Sequence, residues 1–151
     1  MSTNIKQINA LNIIITVLYD GENGFKESAQ AIDNKSLATR FDNIARQRYE
    51  FGHEIKPLIK ELGGKVDKGG STLASVHRAW IDLKSAISSN DEAAILQECV
   101  RGEESAQKTY EYVIDNGDLS SDHQGLLRRQ LDYITASLNE MRRLSEAYAT
   151  A

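Results

Sequence analysis

The sequence predicts an all-α chain: four long helices in two antiparallel hairpins, with a short extra helix in the long connection between the second and third. Three observations carry this expectation. Helix-forming residues dominate and only one proline interrupts them. Apolar residues recur at i, i+3, i+4 and i+7 along four long segments. Those segments are joined by two tight turns and one long connection, and 151 residues suffice for a single domain, 1–151, with a substantial core.

The first helix is expected over 4–33, with Ile8, Leu11, Ile15, Leu18, Tyr19, Phe25, Ala29 and Ile32 on its apolar stripe. Gly21 and Gly24 lie inside it at about 1 kcal/mol each relative to alanine, which close approach of a neighbouring helix would offset. Asp33-Asn34 forms the turn, and Ser36 is the expected N-cap of the second helix, 36–62. Leu37, Phe41, Ile44, Ala45, Ile55, Leu58, Ile59 and Leu62 make the second stripe. Pro57 is expected to kink that helix or loosen one turn, and Gly63-Gly64 to end it.

Residues 65–70 read as a loop, after which Ser71 or Thr72 caps a short amphipathic helix bearing Leu73, Val76, His77, Trp80, Leu83 and Ile87. Trp80 is the expected anchor of this helix on the rest of the protein, and His77 flanks its packing face. Asn90 or Asp91 then caps the third long helix, 92–115, where Ile95, Cys99, Ala106, Tyr110 and Val113 face inward. Asn116-Gly117-Asp118 turns the chain into the last helix, 121–148, with Leu127, Leu131, Ile134, Leu138, Met141 and Tyr148. Two hairpins joined by one crossover, here about 27 residues, are the ferritin-like arrangement of four-helix bundles. Three short loops would instead give the up-down-up-down form.

Composition excludes several classes of function. A net charge of −4 gives no reason to expect a nucleic-acid partner. A single cysteine, Cys99, precludes an internal disulfide and fits a reducing compartment, where it reads as an inert core thiol. The apolar patch at 11–19 is broken by Asn12 and Thr16, lacks a basic flank and is too short to cross a bilayer, so no membrane role is expected and the cytoplasm is the expected location. No glycine-rich phosphate loop, Ser/His/Asp set or Cys-x-x-Cys motif is present, so no catalytic residue is assigned.

The pattern that invites chemistry lies at 46–53, RQRYEFGH, which contains Glu50-x-x-His53. Diiron bundles place such i,i+3 pairs on two helices and a glutamate on each of the other two. Helical rotation of about 100° per residue tests the match. It puts Glu50 and His53 roughly 145–155° from the apolar direction, on the outer face, and Arg48 within about 15° of it. The same arithmetic turns Glu22 inward and lets Glu98 lean inward, with Glu103 at the edge of its stripe and Glu104 outside. On the last helix Gln130 and Ser137 point in, while Asp132 and Glu140 are outside or flanking. The expected buried polar cluster is therefore Glu22, Arg48, Glu98 and Gln130, with Arg48 paired to Glu22 because an isolated buried charge is very costly. No metal ligand and no cofactor are assigned.

Several residues, read in order, resemble a bacterial family of small four-helix proteins of unknown function in the ferritin-like, rubrerythrin-related superfamily. They are Asp20-Gly21 with Gly24-Phe25 and Ala29, then Ala45-x-x-Arg48-x-x-Phe51, and Trp80-x-x-Leu83. Asp91-x-x-Ala94-Ile95-Leu96-x-Glu98, Gly102-Glu103, Tyr110 and Leu127-x-x-Gln130-Leu131 complete the set. The resemblance implies a helical bundle and, for the superfamily, often a diiron site with oxidase or iron-storage activity. Aligned through Ala45, the chain has Arg48 and Phe51 where rubrerythrin-type members place Glu and His. Leu18 stands at the first-helix ligand position and Leu138 at the last-helix histidine.

The functional expectation is a non-catalytic bundle without a complete diiron site, in a structural, stress-associated or interaction role. The alternative is a metal-binding or redox protein taking iron or manganese at an atypical site around Glu22 and Glu98. Bundles of this size commonly pair, so a homodimer is the expected assembly if the chain associates.

Overall fold

A computed structural model describes residues 2–67 and 80–150. Among them are five α-helices and no strand: α1 (Ser2–Ala31), α2 (Lys35–Glu61), α3 (Leu83–Ser88), α4 (Glu92–Asn116) and α5 (Ser121–Thr150). The expected caps of the 65–76 region, the residues Leu73 and Val76, and His77 lie outside the described residues. Elsewhere the helix bounds agree with the periodicity to within a few residues, and the caps explain where they fall. The N-cap of α2 is Asn34, not Ser36; its side chain accepts from the Leu37 N–H at 3.1 Å. Asp91 caps α4 in the same way through Ala94. At the end of α2, Gly63 takes a positive φ of 84°, and the Gly63 and Gly64 amides donate to the carbonyls of Lys60 and Ile59. This pair of bonds is a Schellman ending. The helix runs through Pro57 without a break.

Cross-links between helices establish their directions. Near the start of α1, Asn12 donates to the Lys65 carbonyl just past the end of α2 (2.9 Å), so α1 and α2 are antiparallel. Gln7 reaches the Asp118 carbonyl past the end of α4, and the Asp33 N–H donates to Glu92 at the start of α4 (2.8 Å); α1 and α4 are antiparallel too. Arg40–Glu140 and Arg129–Glu54 pairs lay α5 antiparallel to α2. Consequently α2 and α4 run the same way, and the chain between them must travel from one end of the assembly to the other. The α1–α2 and α4–α5 faces are the most extensive, whereas α2 and α5 touch far less and meet largely through polar side chains, with Phe51 against Tyr133.

The core is divided into two parts. One cluster gathers Leu11, Ile14, Ile15, Leu18, Phe51, Ile55, Ile59, Tyr110, Val113, Leu127 and Ile134. The other gathers Phe25, Phe41, Ile44, Ala45, Leu83, Ile95, Leu96, Cys99 and Met141. Along each long helix the break falls at the same level: between Leu18 and Phe25, between Ala45 and Phe51, between Cys99 and Ala106, and between Ile134 and Met141. At that level lie the buried polar side chains Arg48, Glu103 and Ser137, with Leu138 beside them.

Trp80 lies ahead of α3 rather than within it, separated from Leu83 by a turn at residues 81–82. Its ring packs edge-on against Phe25, centroids 5.4 Å apart, and slides between Gly24 of α1 and Gly102 of α4. A Cβ on either glycine would fall inside the indole. Thus Gly24 admits an aromatic side chain from the crossover. Gly102→Ala is expected to cost roughly 1–3 kcal/mol, because the ring must leave its slot. Gly52→Ala, in mid-helix with nothing within 4 Å of the added carbon, should stabilise by about 0.5–1 kcal/mol. Urea unfolding of the two variants checks this; shifts of the same sign would contradict the assigned slot.

Candidate functional site

The polar layer between the two apolar clusters is built on Arg48, at mid-length on α2. Its neighbours Ile44, Ala45, Phe51 and Ile55 are all buried, so helical geometry leaves its stem no outward path. Arg48 is 1% exposed. Its guanidinium meets Glu103 of α4 end-on: Nη1 donates to Oε1 at 2.5 Å and Nη2 to Oε2 at 2.8 Å. Both side chains are 1% exposed. Paired, two-pronged donation of this kind is the strongest arrangement for a carboxylate and a guanidinium out of water. The guanidinium carbon also lies 5.7 Å from the Phe25 ring centroid, within cation–π range. Gly21 of α1 packs beside the guanidinium, where an added Cβ would make an ordinary contact 3.6 Å from Nη1. Trp80 and Gly102 close the layer from the crossover side. Together with Val17, Asp20, Gly21, Ser105 and Ala106 they line, beside the pair, a cavity of about 10 Å³.

The expected partner of Arg48 was Glu22, and this is corrected. Glu22 is one residue past Gly21, about 100° further around α1, which turns it out of the layer. It faces a groove of about 320 Å³ between α1 and α2, shared with Lys26, Asp42, Ala45, Arg46 and Tyr49, and it pairs with Lys26 at 3.6 Å. Glu103, placed by the sequence at the edge of its stripe, is fully buried. Its signal was local: it stands four residues after Cys99 and three before Ala106, both inward.

The remaining polar residues sit at other levels. Glu98 is buried, with Oε2 3.0 Å from Arg101. Burial raises its carboxyl above the usual glutamate range, opposed by Arg101 and reinforced by Asp82. Gln130 is buried in the Tyr110 half of the core. It accepts from the Tyr110 hydroxyl (2.7 Å) and donates to the Phe51 carbonyl (3.3 Å) and to Glu54 (3.0 Å), tying α4, α5 and α2 together. Burial pushes the Tyr110 phenol up. Glu22, Arg48, Glu98 and Gln130 are thus four separate positions, with no bond between any two of them. Glu50 and His53 are exposed, as the rotation arithmetic required. Cys99 is buried, donates weakly to Ser28 (3.8 Å), and burial raises its thiol, which disfavours the nucleophilic thiolate.

Chemically, the layer is closed. Arginine does not lose its proton, and both Glu103 oxygens are engaged, so the pair offers neither a general base nor an open ligand position. Among the described residues no three His, Cys, Asp or Glu side chains group closely enough to hold a metal ion. No helix is long and apolar enough to cross a membrane among those residues.

Fold and centre together define a class: an all-helical protein whose long helices close over a buried arginine–glutamate pair. The family model described as Domain of unknown function (DUF2383) matches residues 6–116, which include both members of the pair, and the chain belongs to that family. A search of curated proteins finds no match.

Two predictions follow from the burial of these charges. Glu103→Gln strands the guanidinium and is expected to cost about 3–5 kcal/mol, whereas Arg48→Met with Glu103→Leu should be nearly neutral or stabilising. Denaturant melts of single and double variants decide; additive losses would refute it. For Glu98, a carboxyl raised in the fold binds its proton more tightly folded than unfolded. Its contribution therefore favours the fold at low pH and is lost as pH climbs from the ordinary glutamate value through the folded one. Glu98→Gln should flatten that part of the stability–pH curve, which thermal melts across the acid range would reveal.

Proposed function

We propose that the chain is a cytoplasmic, ferritin-like four-helix bundle in which an ion pair takes the place of a metal centre, acting as a non-catalytic structural, stress-associated or interaction protein. The observation carrying this reading is the Arg48–Glu103 pair at mid-height of the core. A fixed cation there repels a divalent ion and engages both oxygens of the adjacent carboxylate. The ferritin-like assignment draws support from topology: α1 is antiparallel to α2 and α4, α5 is antiparallel to both of those, and one crossover spans the length of the assembly. The interaction role rests on elimination together with exposed Tyr49, Tyr112 and Tyr133 on three different helices, and a homodimer is the assembly it favours.

The alternative, a metal or redox site around Glu22 and Glu98, has one observation behind it: Glu98 Oε1 is buried and accepts no hydrogen bond from the described residues. Against it, Glu22 faces a different groove and is engaged by Lys26. Metal analysis of protein produced with added iron and manganese tests the two readings. Well under one metal per chain is expected. Near-stoichiometric metal that disappears in Glu22→Gln or Glu98→Gln would replace the first reading with the second.

A further inference from the structure

We propose that the groove at the C-terminal end of α2 binds a small, soluble oligophosphate, held by Lys56, Lys60 and Lys65. The groove encloses about 470 Å³ and is lined by those three lysines with Gly64 and Val66, a volume suited to a small molecule. No carboxylate lines it among the described residues. Several surface cations are matched: Lys6, Lys26, Arg40, Arg101, Arg129 and Arg142 each lie against an Asp or Glu. These three lysines have no such partner among the described residues, although the chain as a whole carries a net charge of −4.

The cations are also held in place. Lys56 and Lys60 are one helical turn apart on the same face, where like charges repel. Lys60, in the last turn, has the helix dipole to compensate it, but Lys56 lies further up the helix and Lys65 beyond its end. The ammonium of Lys56 rests 5.6 Å over the Tyr19 ring. Lys65 is positioned by the backbone. Gly63 reverses the chain, and Gly64 lies so close to Ile8 that a Cβ would collide with that side chain. Asn12 then clamps the next residues to α1, donating to the Lys65 carbonyl (2.9 Å) and accepting from the Asp67 N–H (2.8 Å). The amides of Leu62, Gly63 and Gly64 donate to the carbonyls of Leu58, Lys60 and Ile59, and the three ammonium charges outweigh the negative helix end that remains. Lysine binds phosphate as a mobile point charge, and three converging lysines match a ligand with two or more phosphoryl groups.

The test is calorimetric titration of the full chain with inorganic tripolyphosphate. Saturable binding that weakens as salt rises is expected. Lys56→Gln, Lys60→Gln or Lys65→Gln should each weaken it roughly tenfold or more, the usual scale for losing one charged hydrogen bond, with far-UV circular dichroism unchanged. Lys108→Gln, removing an exposed charge elsewhere, should leave binding intact. Asn12→Ala should weaken it with every lysine retained, a loss that general charge attraction does not produce. Absence of binding at millimolar tripolyphosphate, or an equal loss in Lys108→Gln, overturns the proposal. So does sedimentation with phosphatidylglycerol vesicles by a chain that ignores tripolyphosphate.

Discussion

The fold turns on a charged pair that water does not reach. Arg48 and Glu103 are 55 positions apart in sequence and belong to different hairpins, so neither hairpin can bury its own member alone without stranding a charge. Association of the two hairpins is what brings the two charges together. Once made, the pair sets the register of α2 against α4, the parallel helices linked by the crossover. The apolar clusters on either side would tolerate a slide by one turn far more readily than two-pronged hydrogen bonding would. A buried polar group specifying register is the best-attested use of such a costly feature.

Everything near the pair is shaped to admit it. Gly21 packs beside the guanidinium, Phe25 offers a ring face, and Gly24 with Gly102 opens a slot for Trp80. The opposite side is different in character. There α2 and α5 meet through Arg40–Glu140, Arg129–Glu54 and the Gln130 bonds, partly exposed interactions of small individual value. The assembly is thus apolar and tight along α1–α2 and α4–α5, and polar where the hairpins meet at α2 and α5.

Much of this was legible in the residues. The four stripes, the turns and the length of the crossover specify helices and their directions, because apolar period and loop length act through local geometry. The inward aim of Arg48 was legible too, since Ile44, Ala45, Phe51 and Ile55 bracket it within two turns. Its partner was not. Averaging a stripe over a whole helix smears the phase of any one residue. That smearing moved Glu22 into the layer and Glu103 to its margin, though Gly21 and the run Cys99–Glu103–Ala106–Tyr110 held the answer in their spacing. Nor could one-dimensional periodicity show that Gly24 and Gly102, distant in sequence, flank the same indole. That relation exists only after the hairpins meet.

Trp80 is the protein's only tryptophan, and it sits where the crossover seals the central layer, between two glycines and against an aromatic edge. The indole emission of the whole molecule therefore originates from one structural joint. The six tyrosines absorb and emit from many places; the tryptophan speaks for the crossover alone. The architecture carries its own optical gauge of whether that segment is seated.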